Sequence, residues 1–245
     1  MKCYKIQLLV TLSFILLLPN TKGWGEDGHA IVCRIAQSRL SDSAADAVKN
    51  LLPKYAQNDL ASVCSWADRV RFYLHWSSAL HFADTPDKLC NFQYDRDCKD
   101  QDGEKGRCVV GAIKNYTDQL LDYGKDTQCK PLLELTTSIY NLTQALLFLS
   151  HFMGDVHQPL HVGFTSDKGG NLINIHWYRR KQNLHHVNLI LRKHGLIKYA
   201  DGKPAILRKL LAQIYDYFLS RLPEVSLRLA QGGVRLAATL NRIFG

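Results

Sequence analysis

One eleven-residue segment holds an unusual number of side chains that could bind a metal ion. It contains His151, Asp155, His157 and His161. His151 and Asp155 are four residues apart in a segment with helical periodicity, so they share one helix face and can reach the same ion. Imidazole and carboxylate groups are ligands of catalytic zinc. A lone histidine on an apolar helix is usually structural, and it is the cluster that predicts a metal site.

Further candidate ligands are scattered along the chain, and each is weak in isolation because a lone Asp or His usually lies on the surface or caps a helix. His161 lies just beyond Pro159, where it could serve a neighbouring ion. Trp24 could chelate a metal together with His29 if proteolytic cleavage frees its amino group. The other candidates are Asp68, which precedes Arg71 by three residues in a predicted helix, and also His81, Asp84, His185 and His186.

The first 23 residues have the pattern of a secretory signal peptide. Lys2 and Lys5 precede an apolar run over residues 6–18, and small residues lie just before position 24. The run is about 13 residues long, whereas a membrane span needs about 20. We predict cleavage after Gly23, which lowers the net charge from +9 to +6. The mature protein then enters the secretory pathway and ends outside the cell or in a vacuole.

Cysteines and glycosylation sequons agree with secretion. Six cysteines follow the signal peptide, and in an oxidising compartment they could form up to three disulfides with 15 possible pairings. Asn115 and Asn141 each begin an Asn-X-Thr sequon. We therefore expect a glycoprotein with N-linked sugars at these two positions.

The remaining pattern is mainly helical. The chain is 46% hydrophobic and 22% charged, which is typical of a globular protein. Apolar spacing predicts helices over 28–52, 59–75, 109–123, 132–157 and 203–244, the last interrupted at Pro223 and at Gly232-Gly233. Residues 84–108 form a predicted disulfide-bearing loop, and Leu172–Tyr178 is the best strand candidate. We predict one mainly α domain over residues 24–245, a helical bundle with a small β element.

Several motifs together resemble the plant branch of the S1/P1 nucleases. They are Trp24-Gly with His29, Ser65-Trp66-Ala67-Asp68, Leu80-His81-Phe82, the segment from His151 to His161, and Asn183-Leu-His185-His186-Val187. The resemblance extends from Trp24 to about Val187 and resumes over residues 217–244. It implies a phospholipase C/P1 nuclease-like fold and three zinc ions at the bottom of a cleft.

The resemblance also assigns residue roles. For one zinc it implies the ligands Asp68, His81, His151 and Asp155. For a second it implies the backbone of Trp24, His29 and the shared Asp155. For the third it implies His161, His185 and one further residue. Two disulfides are implied as well, Cys33–Cys64 and Cys98–Cys108.

The implied activity is zinc-dependent hydrolysis of single-stranded DNA and RNA to 5′-phosphate products. Arg71 faces the phosphate in this resemblance and Asp68 is part of the catalytic machinery. Phe82 stacks on an unpaired base, and Asp84 hydrogen-bonds that base. We expect a monomer that does not associate with the membrane once the signal peptide is removed.

One part of the sequence departs from the family. Four residues after His185, where the family has an aspartate ligand, this chain has Leu189, and the segment between about 188 and 216 is short. Cys90 normally pairs into the missing segment, so it is either free or bonded to Cys129. The gap is either a gene-model or splice gap, or it marks a genuine shortened paralogue. As written, the sequence predicts a weak or inactive nuclease.

Two alternatives remain from the sequence. Bacterial zinc phospholipase C shares the metal-site arrangement, although Phe82 and Asp84 argue against a lipid substrate. The other alternative is a non-catalytic secreted glycoprotein that binds nucleic acid or zinc, and the missing aspartate is its only positive support.

Overall fold

A computed structural model describes residues 24–124, 141–177, 180–185 and 205–245. The predicted signal peptide, Cys129 and Leu189 lie outside these residues. The helices are α1 (Gly25–Gln37), α2 (Asp42–Leu51), α3 (Trp66–Val70), α4 (Tyr94–Asp97), α5 (Val109–Leu120), α6 (Leu142–Asp155) and α7 (Ala205–Phe244). Short 3-10 helices are formed by Lys54–Ala56, Leu60–Ser62, His75–His81 and Pro159–His161. The prediction of a mainly α fold is confirmed.

Capping side chains set the start of two helices. The Ser41 side chain accepts a hydrogen bond from the Ala44 N–H at the start of α2, and the Asn141 side chain accepts one from the Gln144 N–H at the start of α6. Such a cap stabilises a helix by about 1 kcal/mol.

Helix α6 forms the centre of the core. All eleven residues from Ala145 to Asp155 are buried, as expected for a helix that is apolar on almost every side. Phe148 stacks on Tyr116 of α5 at a ring distance of 4.9 Å, and Phe152 stacks on Phe148 at 5.4 Å. The candidate ligands His151 and Asp155 therefore lie in a rigid, dry environment.

The predicted helix over 59–75 is wrong as a single element. The chain there forms the 3-10 turn Leu60–Ser62, then α3, and then the 3-10 helix His75–His81. A bent chain buries Leu60, Ala61, Val63 and Cys64 on several sides, and this burial produces apolar spacing without one continuous helix. Cys64 is also tied to Cys33 of α1 by a disulfide.

The last predicted helix is more continuous than expected, because α7 passes through both predicted interruptions. Pro223 lies on an exposed stretch of the helix, where water can satisfy the carbonyl left without a partner. Gly232 and Gly233 allow close contact with α1. A Cβ on Gly233 would lie 2.6 Å from the Cβ of Ile35.

The small β element is a two-stranded antiparallel sheet. Strand β1 (Asn174–Trp177) pairs with β2 (Arg180–Asn183), with Asn174 opposite Asn183. The strand predicted near Leu172–Tyr178 is confirmed. Its polar partner β2 lacks the apolar alternation that would have identified it.

The structure contains the two disulfides Cys33–Cys64 and Cys98–Cys108, and Cys90 is exposed and unbonded. The second bond lies within the predicted disulfide-bearing loop. None of the helices in the described ranges is long and apolar enough to cross a membrane.

Candidate metal centre

The carboxylate of Asp155, at the C-terminal end of α6, is surrounded by four histidine rings. Its Oδ1 lies 3.1 Å from His161 Nδ1 and 3.4 Å from His29 Nε2. Its Oδ2 lies 2.9 Å from His81 Nδ1 and 3.1 Å from His151 Nε2. The carboxylate is fully buried. The fold thus joins residues from three helical elements and one turn that are up to 132 positions apart in sequence.

Two sets of three side chains have the spacing of metal ligands. One set is His29, His151 and Asp155, and the other is Asp68, His81 and His151. Within each set the ligand atoms all lie within 4.8 Å of one another, and every residue is buried. We call these five residues the buried cluster. His151 belongs to both sets, so two ions could lie close together around it.

The buried cluster contains polar atoms that have no hydrogen-bond partner. They are both ring nitrogens of His29, Nε2 of His81, Nε2 of His151, Oδ2 of Asp68 and Oδ1 of Asp155. A buried polar group without a partner costs about 1–3 kcal/mol, so such a concentration requires an explanation. Nitrogen and carboxylate oxygen donors are the set that zinc takes in proteins, and the residues therefore fit this metal.

Backbone groups hold the rings in place from outside the cluster. His151 Nδ1–H donates to the carbonyl of Cys64 at 2.8 Å, and His161 Nδ1–H donates to the carbonyl of His81 at 2.7 Å. Partners of this kind orient the ligands of metal sites. Trp24 donates its indole N–H to the carbonyl of Gly154 at 2.7 Å. Gly154 has no room for a side chain, because a Cβ would lie 2.6 Å from His29 Nδ1.

Electrostatics favour the ligating forms of His29 and Asp155 but not that of His151, whose ring must lose a proton to bind a metal. Burial lowers the pKa of His29, and the neighbouring His151 lowers it further. Although burial favours the neutral acid of Asp155, the neighbouring His151 and His161 outweigh it and hold its pKa well below the usual range. Burial opposes the cation of His151, but Asp155 and Asp68 raise its pKa to about 9. The carboxylate is therefore ionised, as a ligand must be.

His161 and His185 form a second, smaller group beside the buried cluster, which we call the histidine pair. Their rings stack with centroids 5.2 Å apart, and both side chains are buried. His185 Nδ1–H donates to the carbonyl of Gly169 at 2.8 Å. In the described part of the chain, no third Asp, Glu, Cys or His completes a ligand set with the pair.

The residues predicted to bind substrate lie next to these groups. Arg71 Nη1 is 3.7 Å from Asp68 Oδ1. Phe82 and Asp84 line a cavity of about 600 Å³, and they lie one and three residues after His81 in sequence. Burial raises the pKa of Asp84 to about 6, and the nearby carboxylate of Asp167 adds to the shift.

Sequence reasoning missed a contact between His157 and α7. His157 Nδ1–H donates to the carbonyl of Met153 at 2.7 Å, and His157 Nε2 accepts a hydrogen bond from Arg235 at 2.6 Å. His157 thus belongs to none of the ligand sets and links the turn after α6 to the C-terminal helix. The neighbouring Gly232 was the available clue, because a glycine inside a helix often marks a close contact.

Known proteins resemble this chain over most of its length. The S1/P1 nuclease family model matches residues 24–188. The chain is 48% identical to "Endonuclease 2" of Arabidopsis thaliana over 98% of this chain and 97% of that protein. It is 44% identical to "Endonuclease 4" of the same plant, over 90% of this chain and 89% of that protein. With "Nuclease P1" of Penicillium citrinum the identity is 38%, over 66% of this chain and 55% of that protein.

The similarity also shows a length difference. The alignment with "Endonuclease 2" extends over 289 positions, but 98% of a 245-residue chain is only about 240 residues. About 50 aligned positions therefore have no counterpart in this chain. The family match ends at residue 188, one position before Leu189.

Proposed function

We propose that this chain is a secreted zinc-dependent endonuclease. It belongs to the S1/P1 nuclease family, and this membership makes it a phosphodiester hydrolase. Its proposed substrates are single-stranded DNA and RNA, and its products carry 5′-phosphates. The observation that carries the proposal is the buried cluster, in which carboxylates and imidazoles converge with their ligand atoms unpaired.

We take the ligand roles from the family resemblance, and the proximity of these side chains in the buried cluster supports them. Asp68, His81, His151 and Asp155 would hold one zinc ion, while His29, Asp155 and the backbone of Trp24 would hold another. When bound, zinc supplies Lewis acidity and a water that is deprotonated near neutral pH. The chain itself supplies fixed ring orientations through the carbonyls of Cys64 and His81, and it excludes bulk water by burying the cluster.

Three other side chains would act on the substrate. The Arg71 guanidinium would neutralise charge that develops on the non-bridging phosphate oxygens. Phe82 would stack on a base, and stacking of this kind requires an unpaired base and tolerates any sequence. The ionised carboxylate of Asp84 would accept hydrogen bonds from N–H groups of the base. Together these roles favour single strands.

The histidine pair would hold the ion that stabilises the departing 3′ oxygen. His161 and His185 supply two ligands, and Leu189 at the third position supplies none. A weakly held ion at this place slows departure of the leaving group. We therefore propose a lower rate than that of a chain with all three ligands.

The compartment, modification and assembly are proposed with the function. The protein would follow the secretory pathway to the extracellular space or a vacuole as a monomer, with glycans on Asn115 and Asn141. Both asparagines are exposed, and the two disulfides suit an oxidising compartment.

The direct test is hydrolysis of single-stranded DNA by the purified chain with added zinc. A duplex of the same sequence measures strand preference, and end labelling of the products identifies the phosphate. Asp155→Asn is the control, because the amide keeps the shape of the side chain but removes the charge shared by four histidines. We expect zinc-dependent turnover that the control abolishes.

Other results would replace the proposal. Oligonucleotide binding without turnover, from a folded and zinc-loaded chain, would indicate a binding protein, which the missing aspartate favours. Hydrolysis of phosphatidylcholine instead of DNA would indicate a phospholipase.

A further inference from the structure

An unusual group of aromatic side chains is exposed beside the buried cluster. Phe72, Tyr73 and Trp76 follow Arg71 within five residues, and Tyr73 and Trp76 are 84% and 47% exposed. We call residues 71–76 the aromatic ridge. Closely spaced exposed aromatics of this kind usually mark an interaction surface.

The ridge has an ordered backbone. The N–H groups of Tyr73 and Leu74 both donate to the carbonyl of Val70, at 2.8 and 2.7 Å. The buried Ser77 donates to the carbonyl of Leu74 through both its N–H and its hydroxyl. The exposed rings are therefore presented on a fixed turn, and little conformational entropy is lost when they bind a partner.

The ridge begins at the candidate metal centre. Arg71 lies 3.7 Å from Asp68 of the buried cluster, and its guanidinium lies over the Phe72 ring at 5.6 Å. At the other end, Trp76 lines a cavity of about 380 Å³ together with Tyr94, Lys105 and Lys114. The Trp76 carbonyl accepts a hydrogen bond from Arg107 at 2.8 Å. Aromatic and basic side chains thus continue from the cluster to this cavity.

The charge of this surface suits a polyanion. No acidic residue occurs between Asp68 and Asp84, a stretch that contains Arg69 and Arg71. In the cavity, Lys105 and Lys114 are exposed. Asp118 also lines the cavity, and Arg107 is paired with Asp100 and Glu104, so the lysines supply the positive charge.

We propose that the aromatic ridge and this cavity form an extended binding track for single-stranded nucleic acid. Asn115 also lines the cavity, so a glycan at that position would narrow the track, and the binding experiments use the chain without it. The inference rests on the proposed function and deepens it. Bases that flank the cleaved nucleotide stack on Tyr73 and Trp76, while Lys105 and Lys114 contact their phosphates. Stacking combined with a basic groove is the usual means of binding single strands without sequence preference.

The track predicts a dependence on substrate length. Fluorescein-labelled phosphorothioate oligo(dT) of 3 and of 15 nucleotides, which resists hydrolysis, is titrated with the zinc-loaded chain and followed by anisotropy. Tyr73→Ala should weaken binding of the 15-mer by about tenfold, whereas binding of the 3-mer should change less than about twofold. Tyr55→Ala is the matched control, because Tyr55 is also well exposed, at 67%, but lies outside the track.

Two further variants sharpen the test. Trp76→Ala should also weaken binding of the 15-mer selectively, and its thermal unfolding is measured because Trp76 contacts Phe148 in the core. Changing Lys105 and Lys114 to Glu should reduce the slope of log K against log salt by about 0.7 for each lost phosphate contact.

The outcomes separate this inference from the proposed nuclease activity. Unchanged binding of the 15-mer by Tyr73→Ala, or equal weakening for both lengths, overturns the track even if the chain cleaves DNA. Selective loss of the 15-mer in a chain that does not cleave supports the track and overturns the nuclease. Binding to phosphatidylcholine vesicles that requires Tyr73, with oligonucleotide binding intact, would assign the ridge to a membrane surface instead.

Discussion

The buried cluster and the histidine pair lie side by side, but the chain specifies them very differently. The cluster has two sets of three ligand atoms, each set within 4.8 Å, supplied by α1, α3, α6 and His81. The pair consists of His161 and His185, with Leu189 where a carboxylate is expected. The described residues thus contain two neighbouring groups of candidate ligands, one with complete sets of three and one with only two side chains.

The buried cluster and the histidine pair differ in the part of the chain that holds their side chains. The cluster residues lie within the family match over residues 24–188, and the Cys33–Cys64 disulfide and buried carbonyls hold them. His161 and His185 also lie within the match, but His185 is only three residues from its end. A change in chain length beyond that point would alter the ligands of the pair and leave those of the cluster in place.

The largest expected difference is between alanine substitutions of His151 in the buried cluster and His185 in the histidine pair. His151→Ala should reduce the rate of DNA hydrolysis by more than about 100-fold, because even outer-shell partners of metal ligands contribute about 10–100-fold. His185→Ala should cost less than about tenfold, because its site already lacks a ligand. Rates are measured with added zinc, beside the exposed control Tyr55→Ala, which lies outside the cluster and the aromatic ridge. Equal losses at His151 and His185 would show that the two halves are equally important.

Restoring the missing ligand should make the histidine pair hold a zinc ion more nearly as the buried cluster does. Leu189→Asp should raise kcat by about tenfold, the scale associated with tuning of a metal site, and add one retained zinc ion. Leu189→Asn is the matched control, because it has a similar size without the charge. No gain with Asp, or the same gain with Asn, would mean that the shortened segment prevents ligation.

Breaking the link to α7 should affect stability more than chemistry. Arg235→Ala removes the charged hydrogen bond to His157 and should cost about 2 kcal/mol of unfolding free energy. The midpoint of thermal unfolding should fall by about 4–8 °C. Arg242→Ala, at an exposed position of the same helix, should change it little. A stable Arg235→Ala chain would show that α7 needs no such link.

The smallest effect concerns the pH dependence of base binding. The pKa of Asp84 is raised to about 6, so the carboxylate is protonated, and stops accepting hydrogen bonds from a base, as the pH falls through that value. Asp167→Asn removes a neighbouring negative charge and should move this loss to lower pH, by up to about one unit. Affinity for a short oligonucleotide is measured from pH 4.5 to 7.5. An unchanged or upward shift would contradict this assignment.

Local patterns predicted much of the fold, and they failed where distant contacts decide. The spacing of apolar residues was sufficient to predict α5 and α6, since each helix buries an uninterrupted apolar face. The apolar spacing was misleading over residues 59–75, where a bent chain buries residues on several sides. The proline at Pro223 was also misleading, because an exposed helix tolerates the lost hydrogen bond.

The candidate site shows the same limit. The spacing of His151 and Asp155 predicted a shared helix face, and the motifs identified His29, Asp68 and His81, which the fold brings together. The link between His157 and Arg235 joins positions 78 apart in the chain. No local pattern specifies such a contact, because it exists only once α7 packs against the rest of the molecule.

The most direct test of the central claim is the number of zinc ions that the folded chain retains after gel filtration, measured by native mass spectrometry. We expect two tightly held ions in the buried cluster, with the third lost or exchanging rapidly. Three tightly held ions together with the full activity of a chain that has all three ligands would contradict it.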